Sequence, residues 1–329
     1  MEVEVSVLVA VYNAEHYIVQ CLDSLLNQTL RDIQVICVDD CSIDGSLKIL
    51  NDYALRDSRI EVYRMAENSG QAKARNEALR HVRGQYVAFL DSDDWMASDA
   101  LEQIISVFRR YPQTGCAMLR VLIVDNHGRQ RDYDKPIPSV MTGYDAFVAS
   151  LDWSVHGWYV ARRELYLQWP YDDVCRSYSD DNTTRQHYYH SSEVRYVPSA
   201  VYYYRDNSLS VTHKASVRRF DYLRANESMK RQLQELGVEA DVMALYEQQR
   251  WLVLIDCYMF YHVHGGQLSA DERRYGLSEL HRVWDTIDCS MLNKKTTAKF
   301  GYRPCRWWWL FRLQEWLYFT LRGLLGKNY

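Results

Sequence analysis

Short apolar runs alternate with helical patterns through the first third of this chain, and that rhythm admits few folds. Residues 5–12, 33–38, 60–64 and 86–90 read as strands. Between them, residues 15–28 place Tyr17, Cys21, Leu22, Leu25 and Leu26 at helical spacing, and residues 46–55, 71–81 and 99–111 read as further helices. Strands that alternate with helices of this length are joined by crossovers. The pattern therefore predicts an α/β fold with a mostly parallel sheet flanked by helices. The strands are almost continuously apolar, as expected where both faces of a sheet are covered.

Beyond about Gly115 the rhythm loosens. Residues 118–124 give another strand, and Asp125-Asn126-His127-Gly128 is a hairpin-like turn signal. A mixed region runs to about Ser210, after which residues 217–236, 242–263 and 270–285 look helical. At 329 residues the chain can bury a sizeable core and carry an appendage. Its net charge of -4 provides no basic field for nucleic acid, which is excluded as a partner. Tyr (26) and Trp (10) far outnumber Phe (8); rings with a polar edge suit carbohydrate faces, interfaces and membrane surfaces alike.

The cysteines Cys21, Cys37, Cys41, Cys116, Cys175, Cys257, Cys289 and Cys305 form no CxxC pair, and several sit in apolar runs. Neither a zinc site nor a disulfide framework is expected, and a reducing cytoplasm is the predicted compartment. The N-terminus has no basic segment leading a cleavable apolar one, and the run over residues 5–11 is too short to span a bilayer, so the chain reads as unsecreted.

Chemistry concentrates where two predicted strands end, which is where open α/β sheets bind ligands. The first cluster is Asp39-Asp40-Cys41-Ser42-Ile43-Asp44-Gly45-Ser46. Helix capping accounts for Asp44 or Ser46 but not for two adjacent carboxylates at the sheet edge. The second is Asp91-Ser92-Asp93-Asp94-Trp95. Three acids in four residues repel one another unless a cation or hydrogen-bond donors compensate. Mn²⁺ or Mg²⁺ held by a carboxylate and substrate phosphates would do so; a capped loop led by Ser98 or Asp99 is the plainer alternative.

These residues carry a resemblance. Val9-Ala10-Val11-Tyr12-Asn13, Asp39-Asp40-Cys41-Ser42-Ile43-Asp44, Asn68-Ser69-Gly70 with Ala74-Arg75-Asn76, and Asp91-Ser92-Asp93-Asp94 occur in the order seen in the inverting glycosyltransferases of family 2. The chain resembles that family over roughly its first 110 residues, and more weakly to about residue 215. The resemblance implies a GT-A-type, Rossmann-like domain over residues 1–215, with a nucleotide-sugar half (1–112) and an acceptor half (113–215). A helical region over 216–329 would follow. It further implies that Ala10, Tyr12, Asn13, Gly70, Arg75 and Ser92 line the nucleotide-sugar site. Asp40, with Asp39 beside it, would accept from a uracil ring, Asp91 would contact the ribose, and Asp93 would ligate the metal.

Sugar transfer also needs a carboxylate base within reach of the acceptor hydroxyl. In the family this is the Asp of a Glu-Asp pair; the corresponding stretch here reads Ser177-Tyr178-Ser179-Asp180-Asp181-Asn182. Asp181 is assigned as the base, with Asp180 in the place of the Glu. Capping of a helix over residues 183–190 is the alternative use of one Asp. His213 is a second candidate near the metal, although a lone His is more often an ordinary surface or core residue.

From Arg303 to Tyr329 the chain is aromatic and basic. On a helix, Arg312, Glu315 and Arg322 gather on one face and Trp309, Leu313, Trp316, Leu317 and Leu324 on the other. Charges inside the run argue against a spanning helix. An interfacial helix at the inner face of the membrane is favoured, with a helix docked on the catalytic domain or a dimer contact as alternatives. Since many relatives extend lipid-linked oligosaccharides, the expected acceptor is a glycan, lipid-linked ones included, in cell-surface polysaccharide biosynthesis.

A catalytically inactive nucleotide-sugar-binding scaffold on the same fold is the competing reading, disfavoured by Asp93 and Asp181. A nucleotidyltransferase would need a Gly- or Lys/Arg-rich phosphate loop near residues 9–14, which is absent. A processive synthase would carry spanning helices, so one sugar per encounter is expected.

Overall fold

The structure, a computed structural model of the chain, describes residues 3–133, 136–206 and 215–327. Two compact units are present: Met1–Arg176 with Asp180–Asn207, and Ser177–Ser179 with Ser208–Tyr329.

The first unit is built on one sheet of ten strands: β1 (Val5–Val11), β2 (Ile33–Asp39), β3 (Ile60–Arg64), β4 (Tyr86–Phe89), β5 (Trp95–Met96), β6 (Thr114–Val124), β7 (Gln130–Asp132), β8 (Val140–Thr142), β9 (Tyr159–Arg162) and β10 (Glu193–Arg205). Its helices are α1 (Ile18–Leu26), α2 (Ser46–Arg56), α3 (Gln71–Leu79), α4 (Ala100–Arg110), α5 (Gly143–Leu151), α6 (Arg163–Gln168) and α7 (Asp180–Tyr189). The backbone order β3-β2-β1-β4-β9-β6-β10-β5 contains two parallel blocks, β3-β2-β1-β4 and β6-β10. The mostly parallel sheet predicted from the alternation is therefore present, flanked by helices.

Strand β9 joins those blocks, and it runs antiparallel to both β4 and β6. Alternation could not reveal this, because four residues buried on both faces look the same in either direction. The β6–β10 register shifts between Val197 and Val201, around Pro198, which has no N–H to give a ladder. All seven residues of β2 and all but one of β1 are buried, so the strands most rich in Val and Ile form the middle of the core. The expected turn at residues 125–128 does form the β6–β7 hairpin, with Gly128 at φ 76°.

The second unit contains α8 (Asp221–Leu236), α9 (Ala240–His264), α10 (Ala270–Trp284), α11 (Lys294–Thr297) and α12 (Trp308–Leu324). Its core gathers Phe220, Trp251, Leu254, Tyr258, Leu280, Phe311 and Phe319. Ser269 and Glu272 form a reciprocal capping box at the start of α10, and Gly237 at φ 64° ends α8.

On helix α12, Glu315 is fully buried beside Phe311, Gln314 and Phe319 on the side packed into this core, while Arg312 is exposed and Arg322 half-buried. Burial pushes the Glu315 carboxyl up to about 8, so it enters the core as the neutral acid. The opposite side leaves Trp309, Leu313, Trp316, Leu317 and Leu324 exposed, as the periodicity predicts. Among the described residues no helix is long and apolar enough to cross a membrane, and the eight cysteines are free.

Candidate active site

The carboxyl ends of β1, β2 and β4 lie side by side, and the loops leaving them are tied together. Asn13, at φ 50°, donates its N–H to Ser42 Oγ (3.1 Å) and accepts from the Ile43 N–H through Oδ1 (3.0 Å). Ala14 N–H reaches Ser46 Oγ at 2.8 Å, and Glu15 Oε2 accepts from Gly45 N–H at 2.7 Å. Tyr12 stands half-exposed at this rim, with Ala10 half-buried on the strand below.

The two acids after β2 have different surroundings. Asp39 is buried, accepts from Ser42 N–H and pairs with Arg64 at 3.4 Å. Asp40 holds the next loop, accepting from Ser69 N–H (2.7 Å), Gly70 N–H (2.8 Å) and Asn68 Nδ2 (3.0 Å). A carboxylate has about four acceptor positions, so Asp40 retains room for one further donor. Gly70 is required here: its φ is 93°, and a Cβ would lie 2.9 Å from the Arg176 carbonyl oxygen.

That turn launches α3, which carries Arg75 into the interior. Its guanidinium is almost completely buried, over the rings of Phe89 (4.5 Å) and Tyr171 (5.3 Å). It bridges two carboxylates from distant parts of the chain, Asp91 Oδ1 at 2.5 Å and Asp180 Oδ2 at 3.3 Å. Gln71 Nε2 adds a second bond to Asp180 at 2.8 Å. Arg75, expected from sequence to line the nucleotide-sugar site, lies in a cluster with Asp91 and Asp180.

The acidic run after β4 separates into different environments. Asp94 is buried and structural: it accepts from Tyr202 Oη and from the Arg205 N–H, both at 2.7 Å, which pins the loop to β10. Asp93 is half-buried, its carbonyl oxygen accepting from Arg205 Nε at 2.8 Å, and Ser92 is half-buried beside it. The described residues include no group of three or more His, Cys, Asp or Glu able to cage a metal. The donor set fits an ion that takes one carboxylate, from Asp93, and completes its shell with phosphate oxygens and water. His213 lies outside the described residues.

Helix α7 begins at Asp180, three residues earlier than the sequence reading places it. Asp180 and Asp181 therefore occupy its first turn, where the helix dipole favours negative charge. Asp181 faces a cavity of about 530 Å³, mouth included, which is also lined by Arg75, Phe89, Asp91 and Asp180. Burial, then the neighbouring Asp180 charge, push the Asp181 carboxyl up to about 7; Arg185 and Arg75 oppose the rise. A carboxyl balanced near neutral pH inside a cleft is suited to taking up a proton.

The aromatic wall of this cavity is absent from the sequence reading of the site. Tyr133, Trp153, Trp158 and Tyr171 line it, with Thr184 from α7. Trp153 follows the C-cap of α5, with its N–H on Ser150 O (3.5 Å) and the Ser154 N–H on Ala149 O (3.0 Å), the two bonds of a Schellman motif. That position normally holds Gly. Trp153 adopts φ 64°, a conformation that costs a residue with a side chain roughly 1–2 kcal/mol. A helix ending in Leu151-Asp152-Trp153, with no Gly, was the available signal.

Fold and site together define an α/β protein with acidic strand ends and a separate carboxylate pair over a cleft. The family model described as "Glycosyl transferase family 2" matches residues 6–224. The chain belongs to that family. It is 30% identical over 234 residues to EpsH of Bacillus subtilis, a match covering 66% of this chain and 65% of that one. This chain thus spans just under two thirds of that relative's length. Among solved structures, residues 1–349 of S. aureus TarS in complex with UDP-GlcNAc superpose with a TM-score of 0.74 at 18% identity, covering 98% of this chain and 92% of the other. The mannosyltransferase PcManGT of Pyrobaculum calidifontis, in complex with GDP-Man and Mn²⁺, gives 0.54 at 17% identity, covering 98% and 88%. At these identities the superpositions establish the GT-A-type fold.

Proposed function

We propose that this chain is a metal-dependent inverting glycosyltransferase that moves one sugar from a UDP-sugar to a hydroxyl of a glycan acceptor. The carrying observation is the Asp180–Asp181 pair: one carboxylate is engaged by Arg75 and Gln71, and the other is free to titrate near 7 at the cavity. A non-catalytic nucleotide-sugar scaffold would have no need of a carboxyl placed in this way.

In this reading Ala10, Tyr12, Asn13, Asp39, Asp40 and Gly70 shape the nucleotide end. Asp40 keeps one acceptor position for a uracil N–H. Arg75, Asp91 and Asp180, with Ser92 beside them, meet the ribose and donor-sugar hydroxyls with alternating donors and acceptors. Asp181 takes the proton from the acceptor hydroxyl as its oxygen bonds to the anomeric carbon. The bond from that carbon to the diphosphate oxygen breaks in the same displacement, inverting the carbon and releasing UDP. A Mn²⁺ or Mg²⁺ ion held by Asp93 and the diphosphate would supply charge relief for the leaving group. The nucleotide–Mn²⁺ complex of PcManGT supports that part of the reading.

The same reading extends to a membrane surface. The exposed side of α12 presents Trp309, Leu313 and Trp316. Over residues 294–327 the sequence carries eight basic residues, among them Arg306, Arg312 and Lys327, against the single acid Glu315, which is buried. Trp and Leu beside unopposed basic groups suit an anionic lipid surface. Lipid-linked glycans lie at such a surface, and this reading takes them as acceptors in polysaccharide assembly.

The test is hydrolysis of a panel of UDP-sugars with Mn²⁺ or Mg²⁺, with EDTA as the control. Hydrolysis that is abolished by EDTA and by Asp181→Asn is expected. Turnover that survives either treatment would refute the metal or the base. Sedimentation with anionic vesicles, weakened by Trp309→Ala with Trp316→Ala, reads the surface separately.

A further inference from the structure

Trp153 is an expensive residue to keep where it is. It occupies the left-handed position that ends α5, where Gly satisfies the same two hydrogen bonds without strain. It is also 43% exposed, although a large ring is best stabilised by burial. The buried Arg185 guanidinium lies 5.4 Å from its ring centroid, and Arg185 is held in turn by Asn182 Oδ1 at 3.0 Å. A side chain strained, buttressed from beneath and left facing a cavity is arranged for contact with a ligand rather than for packing.

The rest of the cavity indicates what that ligand is. Tyr133 crosses Trp158 edge-on at 5.0 Å, so two further rings continue the wall that Trp153 begins. The charged lining groups are Arg75 against Asp91, Asp180 and Asp181, and Arg75 is already paired with two of the three carboxylates. An acceptor phosphate at this wall would meet the remaining carboxylate, Asp181, with no side-chain cation left to pair it. A neutral pyranose meets no such repulsion: one face of its ring presents C–H bonds, which pack on the electron-rich face of an indole, while its hydroxyls remain free for carboxylates.

We infer that Trp153, with Tyr133 and Trp158, forms the acceptor platform, and that it takes a neutral pyranosyl unit in preference to a polyol phosphate. This rests on the transferase reading, in which Asp181 at the same cavity receives the acceptor's proton. Trp153 binds the sugar and positions its hydroxyl; it takes no part in the proton transfer.

The test uses the full chain with whichever UDP-sugar it hydrolyses fastest. Neutral p-nitrophenyl pyranosides are compared with ribitol 5-phosphate and glycerol 3-phosphate as acceptors, and pyranoside binding is measured by calorimetry independently of turnover. Trp153→Gly should lower the ratio of transfer to hydrolysis at least tenfold and weaken pyranoside binding by a similar factor, without lowering the melting temperature. Trp153→Phe should recover most of both. An unchanged ratio with unchanged pyranoside binding overturns the platform, as does a fallen melting temperature with the ratio intact, which would assign the ring to packing. Preferential transfer to the polyol phosphates overturns the choice of ligand. A chain that binds the pyranosides through Trp153 but hydrolyses no UDP-sugar would instead sink the transferase reading and leave the platform standing.

Discussion

Replacing Asp181 by Asn tests the proposed base through stability as well as rate. In the unfolded chain an Asp carboxyl releases its proton near pH 4, whereas the folded Asp181 retains it to about 7. Between those values the folded state binds more protons than the unfolded one, so raising the pH through this window lowers stability. Each tenfold change in proton affinity is worth about 1.4 kcal/mol, and the gap sets an upper bound of about 4 kcal/mol. The carboxylate faces an open cavity and is partly solvated, which reduces the expected value to about 2 kcal/mol. Asn has no proton to lose. Asp181→Asn should therefore match the parent below pH 4, gain stability as the pH rises and reach its full advantage above pH 7. On a unit of this size the gain corresponds to about 4–8 °C in melting temperature. Transfer should fall by roughly 10²–10⁴-fold, the usual contribution of a general base. In the parent chain kcat/KM should lose activity as pH drops through about 7. Scanning calorimetry at pH 4 and pH 8, alongside a pH–rate profile, reads all of this. A variant no more stable than the parent at pH 8, with transfer retained, would place the base elsewhere.

Three further outcomes are expected. Arg75→Ala should leave Asp91 and Asp180 facing each other uncompensated, costing about 3–5 kcal/mol by denaturant unfolding at pH 8. Gly143→Ala should destabilise by about 2 kcal/mol or more, because a Cβ there falls 1.8 Å from the Ser191 carbonyl oxygen, a backbone atom that cannot turn away; melting temperature reports it. Glu315→Gln should match the parent at pH 4 and exceed it at pH 9, since the buried acid keeps its proton to about 8 and the unfolded chain does not; melts at the two pH values decide.

The parts of the molecule legible in sequence are those written in local pattern. Strands β1 to β4 could be read within a residue or so of their ends, because each is a run of apolar residues bounded by a turn or a cap. The paired acids at residues 39–40 and 91–94 stood out for the same reason, as local departures from what a strand end requires. The sequence could not assign those acids separate environments. Asp94 is pinned by Tyr202 and Arg205, which are more than a hundred residues away, and Arg75 meets Asp180 across a similar distance. Contacts at that separation are decided by sheet order, and the order depended on β9, a four-residue strand with no directional signature. The inward turn of Glu315 was hidden in the same way. A helical wheel places a carboxylate among polar neighbours, but it carries no information about which side the rest of the unit will cover. Trp153 is the instructive exception, because its signal was local: a helix end with Trp in the position that normally takes Gly.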